Sequence, residues 1–217
     1  RRTSSGYLWI VVGLALIIAG LAALLQLPHM GPAALFVAVP LLIAGPFLMS
    51  GLYMLQPNEA AILLLFGAYK GTDRTEGLRW ANPFFKKQKM SLRARNLASE
   101  RLKVNDKRGN PIEIAAAIVW RVSDTAQASF DVDDFEEYVR IQAEAAVRHL
   151  ASSYAYDEGD DLHAGEITLR AGQDKVASSL IRELTERFEQ AGIVVEDAKL
   201  THLAYAPEIA QVMLRRP

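Results

Sequence analysis

Four carboxylates crowd one short stretch, Asp157, Glu158, Asp160 and Asp161. A cluster of oxygen ligands is what a hard cation such as calcium or magnesium requires. The same stretch carries Gly159 and Gly165 and no apolar period, so it reads as a solvated acidic loop and no metal is expected there. His29, His149, His163 and His202 lie too far apart for the short spacings that place two imidazoles on one metal. Each reads as a surface or packed histidine. The chain has no cysteine, which removes thiolate nucleophiles, disulfides and cysteine-based metal sites together. Gly-x-Ser-x-Gly, His-Glu-x-x-His and a glycine-rich loop ending in Lys-Ser/Thr are all missing. A Ser–Lys pair escapes motif searches, but no pattern points to one. The chain is expected not to be an enzyme, to need no cofactor or metal, and to bind no nucleic acid.

The residues that could do surface chemistry are Trp80, Phe84, Phe85, Lys86, Lys87 and Lys89. Aromatic rings and long cations suit the lipid headgroup zone, where rings lie at the boundary and ammonium groups reach phosphate. The competing reading has Trp80 and Phe84 filling a small strand core while the lysines face water. Adjacent rings on a strand point to opposite faces, so Phe84 and Phe85 leave at least one ring outside that core. This cluster is the candidate membrane-surface and lipid contact.

A membrane contact needs an anchor, and residues 3–58 contain no Asp, Glu, Lys or Arg. Two apolar runs, 7–25 and 33–55, are joined only by residues 26–32. A helix crosses ~30 Å of hydrocarbon with about 20 apolar residues. The short link makes the runs antiparallel neighbours in a membrane helical hairpin, with both ends on one side. Crossing is favoured by the lengths, and a re-entrant hairpin is the other arrangement. Ala15, Ala19 and Ala23 form a small-residue stripe that either packs the helices together or faces lipid. Pro40 and Pro46 are expected to kink the second helix. Arg1 and Arg2 before an apolar run also suit a signal peptide, but the run is long and lacks a small-residue cleavage site.

Of the 217 residues, 1–55 are read as the hairpin, 56–205 as a soluble domain with a candidate division into two parts near 123–133, and 206–217 as the start of a long helix expected to continue. Residues 56–110 hold 12 Lys and Arg against 5 Asp and Glu, a net of +7, whereas 111–217 hold 10 against 20, a net of −10. The basic half lies next to the hairpin, so the positive-inside tendency places both hairpin ends in the cytoplasm.

Within the soluble part, residues 60–66 form an apolar run closed by Gly67, a buried strand. One or two further strands are expected over 90–104. Residues 112–122 alternate apolar and mixed positions, with Ile112, Ile114, Ala116, Ile118, Trp120 and Val122 on one face. Asp133 with Glu136 marks a helix start, and Glu136–Arg140 and Glu144–Arg148 are favourable i, i+4 pairs along a helix reaching about Ser152. A second helix carries the stripe Val176, Leu180, Leu184 and Phe188 and the pair Glu183–Arg187. Gly192 stops it. Residues 193–203 read as a strand, with Val195 and Leu203 on one face and Val194, Ala198 and Leu200 on the other. Pro207 suits the first position of a helix. The order is α+β.

These residues resemble the SPFH (band 7) family of stomatins, prohibitins and flotillins. The resemblance begins at Leu55-Gln56-Pro57-Asn58-Glu59-Ala60-Ala61-Ile62, a Pro-x-Glu turn leading into an apolar strand. It continues through Phe66-Gly67-Ala68-Tyr69, Glu76-Gly77-Leu78-Arg79-Trp80 and Pro83-Phe84, then through Ala145, Val147 and Arg148, Gly192-Ile193-Val194-Val195 and Ala206-Pro207-Glu208-Ile209. It covers roughly residues 55–217, with departures at 157–165 and 106–110 that bear on subfamily. The resemblance implies an SPFH domain of antiparallel strands and packed helices leading into a C-terminal helix or coiled coil. It implies a homo-oligomer of many subunits, a ring or cage that defines a membrane microdomain and controls access to membrane partners such as a protease. Glu183, Arg187 and Glu208 are the residues expected to contact neighbouring copies. The expected location is a bacterial-type inner or plasma membrane, soluble domain facing the cytoplasm. A small-oligomer lipid-binding regulator of a channel or transporter is the alternative, and an unrecognised hydrolase is a third reading.

Overall fold

The computed structural model describes residues 3–157 and 167–209. It divides into two compact units, Arg1–Leu92 and Arg93–Pro217. The division does not fall near 123–133, because that stretch is enclosed within the second unit by strand and helix packing.

The first unit starts with a two-residue strand β1 (Ser4–Ser5), followed by α1 (Gly6–Leu25), the single turn α2 (Leu27–Met30) and α3 (Ala33–Met49). No charged side chain interrupts α1 or α3, so both can present apolar atoms on every side. The pair is antiparallel: Gly13 lies against Met49 and Gly45, and Gly20 against Leu42. The alanine stripe of α1 does not make this seam. Gly6, Gly13 and Gly20, seven residues apart, are the buried positions of α1; Gly13 and Gly20 face α3, where Ala34, Ala38 and Gly45 are buried, and Gly6 lies against Leu78 and Leu52. Ala15 and Ala19 point outward. Glycine wins because backbones come so close that a Cβ on Gly45 would sit 2.9 Å from the carbonyl oxygen of Gly13. Helix α3 continues through Pro40 and Pro46.

The second apolar run is divided. Helix α3 ends at Met49, and its last residues become β2 (Leu52–Leu55), with Tyr53 and Leu55 buried. Apolar content alone cannot separate a short buried strand from a helix end. Helix α1, with 20 residues, is long and apolar enough to cross a membrane. The 17 residues of α3 extend about 25 Å, short of the ~30 Å hydrocarbon layer.

Next come β3 (Glu59–Leu65), β4 (Ala68–Asp73), β5 (Gly77–Trp80) and β6 (Phe85–Ser91). Two antiparallel three-stranded sheets result, β1-β5-β2 and β4-β3-β6. Their shared core is Tyr53, Leu55, Ala61, Leu63 and Ala81, with Phe85 packed against it.

The second unit is built on β7 (Arg95–Ala98), β8 (Leu102–Asn105) and the twelve-residue β9 (Pro111–Val122), then α4 (Thr125–Phe130), α5 (Phe135–Ser153), α6 (Gln173–Phe188) and β10 (Ile193–Tyr205). Strand β9 is central, antiparallel to β10 on one side and to β7 and β8 on the other. Its alternation is realised: Ile112, Ile114, Ala116, Ile118, Trp120 and Val122 are all buried. Opposite them Val139, Ala143, Val147 and Leu150 of α5 and Val176, Leu180, Leu184 and Phe188 of α6 are buried as well.

Three local details differ from the sequence reading. The cap of α5 is Asp134, whose carboxylate accepts from the backbone N–H groups of Glu136 and Glu137. Asp133 and Asp134 both fit the pattern, and the residue with extended backbone (φ −131°, ψ 104°) takes the role. Arg140 pairs with Glu137 at 2.6 Å and Glu144 at 3.7 Å, while Glu136 reaches Arg95 instead. Strand β10 carries irregularities between Val195 and Asp197 and between Leu200 and His202. Each extra residue flips the parity, so Val195, Ala198, Leu200 and Leu203 all lie opposite the buried row of β9. The stretch 207–209 is helical, and 210–217 lie outside the described residues.

Candidate membrane-contact site

Of the rings and lysines singled out in the sequence, Trp80, Phe84 and Lys87 meet the foot of the hairpin. Trp80 ends β5, where it is flanked by Ser4 of β1 and Leu52 of β2. Its ring stacks on Trp9 of α1, centroids 3.8 Å apart and planes 11° off parallel. Its Nε1–H donates to the carbonyl of Leu48, one of the last in α3, at 2.7 Å. Trp9 in turn donates its Nε1–H to Ser4 Oγ at 2.7 Å. Trp80 therefore ties both helices to the sheet. Gly51 leaves room for this, since a Cβ there would meet the Ala81 carbonyl oxygen at 2.4 Å and Trp80 Nε1 at 2.5 Å.

The adjacent phenylalanines separate. Phe85 lies against the small core, whereas Phe84 is 59% exposed. Two further exposed rings join Phe84: Phe47 of α3, edge-on at 5.4 Å, and Phe66, tilted at 6.3 Å. Phe66 is 87% exposed with φ 49°, a left-handed conformation uncommon for a bulky residue. A row of wet phenylalanines beside the end of an apolar helix is what an interfacial aromatic belt requires.

The lysines have three different settings. Lys86 is exposed. Lys87 Nζ donates to the Ser50 carbonyl at 3.1 Å, at the C-terminal end of α3, and lies over the Tyr53 ring. A cation there satisfies an open carbonyl and complements the helix dipole. Partial burial lowers its pKa below the ordinary lysine value. Lys89 lies 3.8 Å from Glu59.

Behind this surface, buried Asp73 accepts from Tyr53 Oη at 2.6 Å, Arg79 Nε at 3.1 Å and the Thr75 N–H at 3.0 Å. Burial alone would raise the Asp73 pKa, but these hydrogen bonds outweigh it and hold the carboxyl below its usual value. Burial, then the bond to Asp73, pushes the Tyr53 phenol upward. Arg79 also donates to Thr3 Oγ1 at 2.8 Å, so the network clasps the N-terminal flank of α1.

The residues expected at copy–copy contacts are engaged within the second unit. Glu183, on α6, accepts two hydrogen bonds from Arg187 at 2.7 and 3.1 Å and faces His149 of α5 at 2.9 Å. Arg187 also donates to Gln142 of α5 at 3.2 Å. They line one open groove of ≈ 690 Å³ with Arg182 and Glu186. Glu208 pairs with Lys103, and that contact lowers its pKa. Among the described residues no group of three His, Cys, Asp or Glu could hold a metal. His202 sits 3.6 Å from Glu113, His29 is exposed in α2, and His163 and the carboxylates Glu158, Asp160 and Asp161 lie outside the described residues.

Sequence reasoning missed Trp9, Phe47 and Phe66. Trp9 and Phe47 are hidden inside apolar runs, where one more ring carries no signal. The pair Phe66-Gly67 did mark a turn, and a ring at a turn was the available clue.

The chain is Cys-free, so Phe84→Cys gives a single labelling position for an environment-sensitive fluorophore. In this chain inserted into anionic vesicles, that label should emit as in an apolar medium. Cations near such a surface contribute about 1 kcal/mol each, so adding Lys86→Glu, Lys87→Glu and Lys89→Glu should return the emission to that of a water-exposed dye. Emission matching water before any lysine is changed would leave the phenylalanine row solvated.

The profile of the SPFH domain / Band 7 family matches residues 53–216. A similar curated protein is "Protein HflC" of Treponema pallidum (strain Nichols), 21% identical over 212 residues, with 83% of this chain and 64% of that protein covered. The chain thus spans less than two thirds of that relative's length.

Proposed function

Since the chain belongs to the SPFH/band 7 family, a membrane family, we propose that it is an anchored, oligomerising scaffold. Many copies pack into a ring or cage that delimits a membrane patch and controls which membrane proteins, a protease among them, reach it. The scaffold has no turnover of its own. One observation carries the anchoring part: strands β1 and β2, at the two ends of the hairpin, both pair with β5 around Trp80. A hairpin held at both ends keeps its first unit at the membrane surface instead of swinging on a loose linker. The basic residues 56–110 beside the hairpin and the acidic residues 111–217 support staggered contacts between copies, because complementary charge sets register. The same basic bias supports a cytoplasmic placement of the soluble part.

Electron microscopy of gently extracted full-length protein tests the scaffold. Closed rings or domes of many subunits are expected. Monomers or dimers would remove the scaffold and favour a small-oligomer lipid-binding regulator, a reading that the exposed Phe47, Phe66 and Phe84 row supports.

The side-chain contacts call for a finer probe. The double exchange Glu183→Arg with Arg187→Glu preserves an ion pair within α6 but reverses the charges a neighbour would meet. Size-exclusion chromatography should then show smaller species with unchanged helical content. An unaltered profile would confine these residues to clamping α5 against α6.

A further inference from the structure

Beside the aromatic row lies a second, polar feature of the first unit. A cleft of ≈ 970 Å³ opens between strand β4 and the flank that precedes α1, lined by Lys70, Thr72, Asp73, Thr75 and Arg79 from one side and Thr3, Ser4 and Ser5 from the other. It carries two cations and a single carboxylate; of its hydroxyls, Thr72 already bonds Tyr69 Oη at 2.9 Å, and Ser4 accepts from Trp9 at 2.7 Å. That carboxylate is occupied: both Asp73 oxygens accept hydrogen bonds from Tyr53, Arg79 and Thr75. Arg79 spends Nε on Asp73 and one Nη2 hydrogen on Thr3, and a guanidinium has five N–H donors. Ser5 makes no capping bond with its own side chain although it is the N-cap of α1.

Position narrows the ligand further. Ser5 immediately precedes Gly6, the first residue of the apolar helix that is long enough to cross a membrane. The mouth of the cleft therefore lies at the depth where hydrocarbon gives way to headgroups, within reach of lipid phosphate and against a helix along which acyl chains can run. Arginine and lysine beside a hydroxyl are donors that phosphate oxygens take.

We propose that this cleft binds the phosphate group of an anionic phospholipid headgroup, held by Lys70, Arg79 and the Ser5 hydroxyl. The site is distinct from the phenylalanine row and from Lys86, Lys87 and Lys89, and it selects a headgroup where they only meet a surface. It rests on the membrane-anchored reading, because its ligand comes from the bilayer around α1. Occupancy would add a lipid-dependent brace between β4 and the start of the hairpin.

The test is native mass spectrometry of the full-length chain released from detergent micelles supplied with equimolar dioleoylphosphatidylglycerol and dioleoylphosphatidylcholine. Preferential retention of phosphatidylglycerol is expected. Lys70→Gln should reduce that retention roughly tenfold, as loss of one charge-assisted hydrogen bond implies. Ser5→Phe, at an exposed position outside the Asp73 network, should block the mouth with the same result. Lys175→Gln, an exposed lysine of α6 outside both the cleft and the lysine cluster, should leave retention unchanged. Millimolar inorganic phosphate that fails to displace the lipid assigns the site to a headgroup, whereas full displacement keeps the phosphate site and assigns it to a soluble phosphate compound. Equal retention of the two lipids, no loss in either cleft variant, or an equal loss in Lys175→Gln would overturn the proposal. Flotation of the same protein with vesicles reports membrane anchoring separately, so a failed cleft and a failed anchor are told apart.

Discussion

Gly192→Val should unfold the second unit, or lower its urea midpoint by the equivalent of several kcal/mol. Gly192 follows the 3₁₀ turn Glu189–Ala191 with φ 64°, where a residue with a Cβ costs about 1–3 kcal/mol. The site is also full. A Cβ would lie 2.6 Å from the Asp124 carbonyl oxygen and 2.9 Å from the side chains of Asp124 and Gln127. Backbone cannot give way there, because the Gly192 carbonyl accepts the N–H groups of Ser123 and Asp124 at 2.8 and 2.9 Å. This one residue joins the end of α6, the start of β10 and the turn from β9 into α4. Overpacking adds about 1–3 kcal/mol, against a total stability of about 5–15 kcal/mol for an ordinary domain. Circular dichroism during urea unfolding measures the effect, and Gly192→Ala should show a smaller shift in the same direction. An alanine variant with the parent midpoint would show that the turn relaxes freely.

Gly45→Leu should pry the hairpin apart. The Cβ alone would approach Ile17 Cγ1 at 2.5 Å and the Gly13 carbonyl oxygen at 2.9 Å. The isoleucine could rotate away, but the carbonyl belongs to the backbone of α1, so the helices must separate. Close van der Waals packing is the main attraction between helices in lipid, and its loss is expected to cost about 1–3 kcal/mol. Ala19→Leu provides the comparison, because Ala19 faces outward from the seam and added bulk there should be tolerated. Unfolding of the full-length protein by increasing SDS in mixed micelles should shift to lower SDS for Gly45→Leu alone. Equal behaviour of the two variants would mean that the glycine seam does not hold the hairpin.

The parts of this fold that were legible in the sequence are those whose signal repeats. Residues 112–122 of β9 keep every second position apolar and buried, and α6 places four large apolar residues on one stripe, so each position supports the next. Single-residue shifts leave no such trace. In β10 two extra residues flip the facing row, and nothing in residues 193–205 distinguishes a bulge from plain alternation. Asp133 and Asp134 both satisfy a capping pattern, and backbone geometry decides between them. The hairpin was legible from the missing charges, but its packing was not. Alanines at four-residue spacing and glycines at seven-residue spacing both make small-residue stripes, and only the helix rotation selects the glycines. The candidate contact was half visible: Trp80, Phe84 and the lysines stand next to one another in the chain. Their partners Trp9, Phe47 and Ser50 arrive from far along it, and no local pattern announces a contact across that separation.

The pairing of β1 with β5 has a consequence for anyone cutting the protein. In the intact chain β5 has a neighbour on each side, so its backbone donors and acceptors are taken up over Arg79 and Trp80. A fragment that begins after α3, made to obtain a soluble domain, would lack β1 and turn β5 into an open sheet edge beside an unstacked Trp80. Unpaired edges recruit other strands. Self-association of such a fragment would then report an exposed template made by the truncation, and it would mimic the assembly proposed for the intact chain.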